Sequence, residues 1–342
     1  MRKILCLTAI VWAVLSASAQ TTAEDIMALL PKMPSEAEMI KYHREYNAPA
    51  TENITLAQPQ LYTDFLEALR EAKEKADEKA NEVGETSKAK LMKGKVAGSD
   101  YTVEDFDNMS EAEQEKAAMA IAQKKLAEMG LSLSDLPKEG EELSEAQKQA
   151  IASKVTAKAK SGQLPKTNAN QAELMMKLQE LGTEESRLAM TVDDPLKAAA
   201  EEGRKLYERD YKAKIDDMMA QQRALKYVFM EKYTEEDRPK VEAETKKYNE
   251  LAVQIWKLQN EFYAKYIPMW RKALLASMDF CKNTLIPIEQ QRKEVTEQLY
   301  EMTQDANYTM GDTYPLVGAG AYLDQSGKID EYDDYLKLEG AE

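Results

Sequence analysis

The densest set of side chains able to hold a cation lies near the C-terminus, in YLDQSGKIDEYDDYL. With Gly327 taken as the turn glycine of a calcium loop, Asp324, Ser326, Asp330 and Asp333 fall on ligand positions and Ile329 on the usual apolar one. The fit is incomplete: the first ligand position is Tyr322, and Asp333 stands where a bidentate Glu is standard. The alternative is a turn at DQSGK joining two short strands, AYL and KIDEY, and this short C-terminal β-hairpin is the expectation adopted.

A second candidate is aromatic. QIWKLQNEFYAKYIPMW places Trp256, Tyr263 and Trp270 at seven-residue steps, so the rings share one stripe of a helix. Such a stripe is either a hydrophobic seam or a groove that holds an apolar or sugar ligand. The seam is the reading adopted, because helical spacing on an amphipathic helix is the ordinary arrangement of core residues.

Other chemistries are excluded by what is missing. His43 is the only histidine, so neither a two-histidine zinc motif nor the paired Glu-x-x-His of a di-iron bundle can be assembled within one chain. Nucleophile elbow, phosphate loop and dinucleotide fingerprint are all absent. Cys281 has no histidine near it in sequence and lies on an apolar seam, which makes it a buried, inert thiol. Acidic doublets such as Asp193-Asp194, Asp216-Asp217 and Glu235-Glu236 suit any acidic helix surface, and no glycosidase pair stands out. No catalytic residue, cofactor or metal is therefore assigned.

The elements that would position these residues are helices. Few glycines, with abundant Ala, Glu, Lys, Gln and Met, predict an all-α protein. Ser35 and Glu38 form a capping box opening a helix through Tyr46. A longer helix starts near Gln60, with Leu61, Phe65, Leu69, Ala72, Ala76 and Val83 on one face, and should end at Gly84 and GKVAGSD. Between Phe106 and Tyr207 no aromatic residue occurs, so this Ala-rich region can pack only thinly. It holds two similar segments, capped at Ser110 and Ser144 and stopped at Gly130 and Gly162, without the large residues that a tetratricopeptide repeat needs.

At VDDPL, Asp194 can cap and Pro195 can open a helix reaching about Lys232, with Tyr211, Ile215, Met218, Gln222, Leu225 and Phe229 as its stripe. Thr234 and Asp237 cap the next, in which Val253, Asn260, Ile267, Leu274, Cys281, Ile288, Val295 and Met302 recur every seven residues. A second stripe, Tyr248, Leu251, Ile255, Leu258 and Phe262, points nearly the opposite way. The short link predicts a long antiparallel helical hairpin, with the second helix central to a three-helix, coiled-coil-like bundle. Pro268 and Pro287 read as kinks, though Pro287 could equally open a helix folding back.

The resulting divisions are a signal peptide at 1–19, an N-terminal helical region at 20–106, the Ala-rich region at 107–192, the long-helix bundle at 193–305 and a capping segment at 306–342. The signal peptide is read from Arg2 and Lys3, the apolar run Ile4 to Leu15 and the small residues before Gln20. Cleavage before Gln20 would deliver a periplasmic or extracellular protein with one cysteine, hence no intrachain disulfide. The net charge of −15 becomes two units more negative when Arg2 and Lys3 leave, which disfavours nucleic acid and anionic lipid.

No later run is apolar enough for stable membrane insertion, and this also counts against a secreted helical toxin. The expected function is a non-enzymatic scaffold, adaptor or chaperone-like protein whose partner is another envelope or extracellular protein, self-association remaining open. The alternative is a carbohydrate- or small-ligand-binding protein, or a hydrolase, using the aromatic stripe and carboxylates.

Overall fold

A computed structural model describes residues 21–49, 60–96, 99–135, 148–154, 169–228, 230 and 232–337. The leader, Ser144, Gly162 and Phe229 lie outside these residues. The fold is predominantly helical, and among the described residues the only β contacts are isolated bridges from Lys95 to Thr102 and Asp305. No described helix is long and apolar enough to cross a membrane. The chain divides into two compact units, one built from 79–186 and 287–317, the other from 22–78, 187–286 and 318–342.

In the second unit, α1 (Ala23–Met27) and α2 (Glu36–Tyr46) each open with a capping box, Thr22 with Asp25 and Ser35 with Glu38, as expected for the latter. Helix α3 (Gln60–Lys93) starts at the expected residue and buries Phe65, Leu69, Ala72 and Ala76 here. It does not end at Gly84. The backbone stays helical there, since an interior glycine costs a helix only about 1 kcal/mol and Val83 and Ser87 on either side are buried.

Two further corrections concern the next helices. Helix α7 (Asp194–Tyr207) is preceded by Asp193 rather than capped by Asp194, and a π turn (Glu208–Lys212) leads into α8 (Ala213–Arg223). Its buried stripe steps by four from Gly203 towards Tyr211 and Ile215. Repeated steps of four drift around a helix of about 3.6 residues per turn, and the wider π turn takes up that drift. Helix α8 stops at Arg223 instead of about Lys232, because groups beyond it bond elsewhere: the Tyr227 N–H donates to Glu244 Oε2 at 2.7 Å.

Helix α9 (Arg238–Phe280) follows a turn in which Thr234 and Asp237 bond each other, and Pro239 lies in its first turn. Contacts run from Tyr227 with Glu244, through Gln222 with Tyr248, to Tyr211 with Phe262 and Gly203 with Tyr266. One number rises as the other falls, so the strand of helices 194–223 is antiparallel to α9. A Cβ at Gly203 would stand 2.5 Å from the Tyr266 ring, so glycine alone lets α7 come this close. On another side Trp256 donates to the Arg44 carbonyl at 3.1 Å and Arg271 to that of Pro34, so α2 and its approach cover α9 as well.

Pro268 lies within α9 without ending it. Ahead of Pro287 the helix widens into a π turn (Cys281–Leu285), where the Ile286 N–H reaches the Cys281 carbonyl five residues back, and it then continues as α10 (Ile286–Thr303). The wider turn absorbs the donor that proline lacks, so Pro287 does not start a helix folding back.

The C-terminal β-hairpin is not formed. AYL lies in α11 (Tyr314–Gly327), and KIDEY forms a 3₁₀ turn (Lys328–Asp330) leading into α12 (Tyr332–Leu336). Leu316, Ala319, Leu323 and Ser326 are buried at helical spacing, and Gly327 has an ordinary right-handed φ of −68°. The burial period of this segment, rather than its turn-like composition, decides its structure.

The first unit holds α4 (Val103–Asp107), α5 (Glu111–Met129), α6 (Ala169–Ala189), the second half of α3 and α10. Helix α5 opens at Ser110 and ends at left-handed Gly130, φ 80°, as its sequence predicts. Its packing is thin, with Leu126 buried on it. Leu174, Val295 and Leu299 make a small core with Leu178, Leu181 and Tyr308. Asp312 fastens this unit, 2.7 Å from Lys90 Nζ and 3.0 Å from Lys293 Nζ.

Candidate functional site

The aromatic residues of α9 lie inside the second unit. Trp270 and Tyr266 are fully buried, Trp256 is 4% exposed and Tyr263 is half-buried. Each polar tip has a partner: Trp270 Nε1 donates to the Lys328 carbonyl at 3.0 Å, Tyr266 Oη to the Tyr332 carbonyl at 3.0 Å, and Tyr263 Oη to Asp333 Oδ1 at 2.5 Å. Phe262 packs edge-on against Tyr207 and Tyr211 and stacks on Tyr266. Buried rings with satisfied polar atoms are the arrangement of a core. Burial, then the nearby Asp333 charge, pushes the Tyr263, Tyr266 and Tyr332 phenols well above their ordinary range.

His43 belongs to the same packing. It is 5% exposed, lies on Tyr263 with centroids 3.6 Å apart, and shares a 3.0 Å hydrogen bond from Nδ1 with Tyr332 Oη. Burial holds its pKa down to about 4, so the imidazole is neutral near pH 7 and a weak base. Cys281 is fully buried beside Val192 and Leu285.

The calcium-loop residues are dispersed by the helices. Asp324 pairs with Lys73 at 2.8 Å, the buried Ser326 hydroxyl donates to the Leu323 carbonyl at 2.7 Å, Asp330 ends the 3₁₀ turn, and Asp333 accepts from Tyr263. Among the described residues no group of three or more His, Cys, Asp or Glu side chains is disposed to hold a metal.

Two features escaped the sequence. Asp193, one half of an ordinary-looking doublet, accepts from Lys328 Nζ at 2.6 Å, Gln325 Nε2 at 3.0 Å and Tyr335 Oη at 3.3 Å. Burial alone would raise its carboxyl pKa, but the bonds from Lys328 and Gln325 and the Lys328 charge hold it below the usual range. The second is a cleft of about 230 Å³, walled by Tyr42, His43, Tyr46 and Asn47 of α2, Leu66 of α3, and Asp330, Tyr332 and Asp333. Its residues come from segments almost 300 positions apart, bridged by the His43 to Tyr332 bond (separation 289), so no local spacing announces it.

Fold and site together define a predominantly helical protein whose aromatic stripe is interior and which carries, among the described residues, an aromatic and acidic cleft. Compared with known proteins, the chain matches no family model, no curated protein and no solved structure.

Proposed function

We propose that the protein is exported through its N-terminal leader and acts as a non-enzymatic helical scaffold, adaptor or chaperone-like protein, binding another envelope or extracellular protein through its first unit. The observation that carries this reading is the placement of large apolar side chains in water. Met119, Met175, Met176, Met302 and Met310 of that unit are exposed, Met176 by 60%. Unbranched, polarizable methionine suits surfaces that repack against a partner.

A thin core supports the same assignment, since an Ala-rich unit leaves more of its apolar surface for contact. An open groove along the first half of α9, past Val241, Thr245, Asn249 and Val253, offers the second unit a further outer surface. The test is site-specific photocrosslinking in the exporting cell. A crosslinker at Met175 or Met302 should give light-dependent adducts of discrete mass that a crosslinker at Lys205, exposed on the second unit away from that groove, does not. Adducts absent at both methionines, or equally abundant at all three sites, would contradict the proposal.

A further inference from the structure

The cleft beside His43 is a small recess with an unusual balance of charge. Asp330 and Asp333 line it, and Asp334 lies one residue beyond. Two nearby acids of the C-terminal segment and of α7's start do have basic partners, Asp324 with Lys73 and Asp193 with Lys328. Among the described residues Asp330, Asp333 and Asp334 make no ion pair, and His43, the one basic side chain in the wall, is neutral near pH 7. Partial burial pushes the Asp330 carboxyl above its ordinary pKa against a backbone hydrogen bond that lowers it, and the Asp334 charge adds to the rise.

The rest of the wall is aromatic. Tyr42 and Tyr46 stack with centroids 5.8 Å apart, and Tyr46 remains 64% exposed at the mouth. Carboxylates beside aromatic rings attract a positive group twice over, through charge and through the ring quadrupole. A neutral sugar would leave both acids uncompensated, and an anion would be repelled.

We infer that this cleft binds an organic cation, an alkylammonium or guanidinium group, seated against Tyr42 and Tyr46 and neutralised by Asp330 and Asp333. About 230 Å³ admits such a head with part of its methylene stem and excludes a whole peptide. The same chemistry is offered by a free amine and by a lysine or arginine side chain of a bound protein. The inference does not depend on the exposed methionines of the first unit.

Calorimetric titration of the full chain tests it, with N-acetylarginine amide, N-acetylcitrulline amide, methyl glucoside and a glycine-flanked single-arginine peptide as probes. The two arginine probes should bind, and citrulline and glucoside should not. Equal affinity for both arginine probes marks a free small cation as sufficient, and a much tighter peptide marks a protein side chain as the source. Asp330→Asn should weaken binding at least about tenfold, as expected for an interaction with a charged group. Tyr46→Ala, which touches an exposed ring and spares the fold, should weaken it about two- to fivefold. Asp194→Asn, an exposed acid of the same unit, should leave it unchanged. Absence of arginine binding, equal binding of citrulline or glucoside, or an Asp330→Asn effect no larger than that of Asp194→Asn would overturn the inference.

Discussion

Replacing Gly203 by alanine pits two effects of opposite sign against each other. In a helix interior alanine is favoured over glycine by about 0.5–1 kcal/mol. At Gly203 the added methyl would lie 2.5 Å from Cδ2 and Cε2 of Tyr266 and 3.1 Å from Leu336 Cδ1. Carbon atoms prefer about 3.5–4 Å, so the ring must retreat by an ångström or more. Tyr266 has no room: it is fully buried, stacks on Phe262 at 5.6 Å and donates to the Tyr332 carbonyl. Overpacking of this kind costs about 1–3 kcal/mol, which leaves Gly203→Ala less stable by about 1–2 kcal/mol. Gly320 in α11 is the matched control, since no described atom beyond its own helix backbone and chain neighbours stands within 4 Å of its Cβ position, and Gly320→Ala should gain about 0.5–1 kcal/mol. Both lie in the unit that holds Trp256 and Trp270. Urea unfolding followed by tryptophan emission, in a chain beginning at Gln20, therefore reads both changes. A Gly203→Ala protein as stable as the parent would refute the close packing of α7 on α9.

Asp312→Asn should weaken the first unit. Burial would raise the Asp312 carboxyl pKa, but Lys90 and Lys293 hold it at about 2. A lowered folded pKa contributes stability above the ordinary value of 3.8 and loses it as pH falls through about 2. The contribution is at most about 2 kcal/mol, less after screening at half-exposed Lys90. Urea unfolding by circular dichroism should show a gap between parent and variant that closes from pH 4 towards 2. Asp193→Asn should destabilise the second unit by about 1.5–3 kcal/mol, the usual worth of bonds to a charged group, and Lys328→Met in the same background should cost little more by urea titration. Calcium should leave the melting temperature where a chelator leaves it, because Asp324 and Ser326 are engaged with Lys73 and the Leu323 carbonyl.

Local signals were legible wherever local energetics decide. The caps at Ser35 and Ser110, the left-handed stop at Gly130 and the start near Gln60 depend on neighbours a few residues away, and they stand where the sequence puts them. Gly84 misled because its stop signal is weak against the burial of Val83 and Ser87. DQSGK misled in the same way: its turn composition yields to the buried spacing of Leu316, Ala319 and Leu323. The π turn before Pro287 follows from backbone geometry that a seven-residue pattern does not encode. Asp193 and the cleft at His43 stayed hidden for another reason, since their partners Lys328 and Tyr332 are 135 and 289 residues away.

The central claim is that the rings around α9 are sealed within the second unit, leaving the outer surface for contacts with other molecules. His43 reports on that seal directly, being the only histidine and stacked on Tyr263. Its folded pKa is lowered, so the neutral ring costs nothing above the ordinary 6.5, and stability falls by about 3 kcal/mol as pH drops from there to about 4. In histidine-labelled protein the single imidazole resonance should hold its shift down to about pH 4. A titration centred on the ordinary 6.5 would place the ring in water and contradict the account.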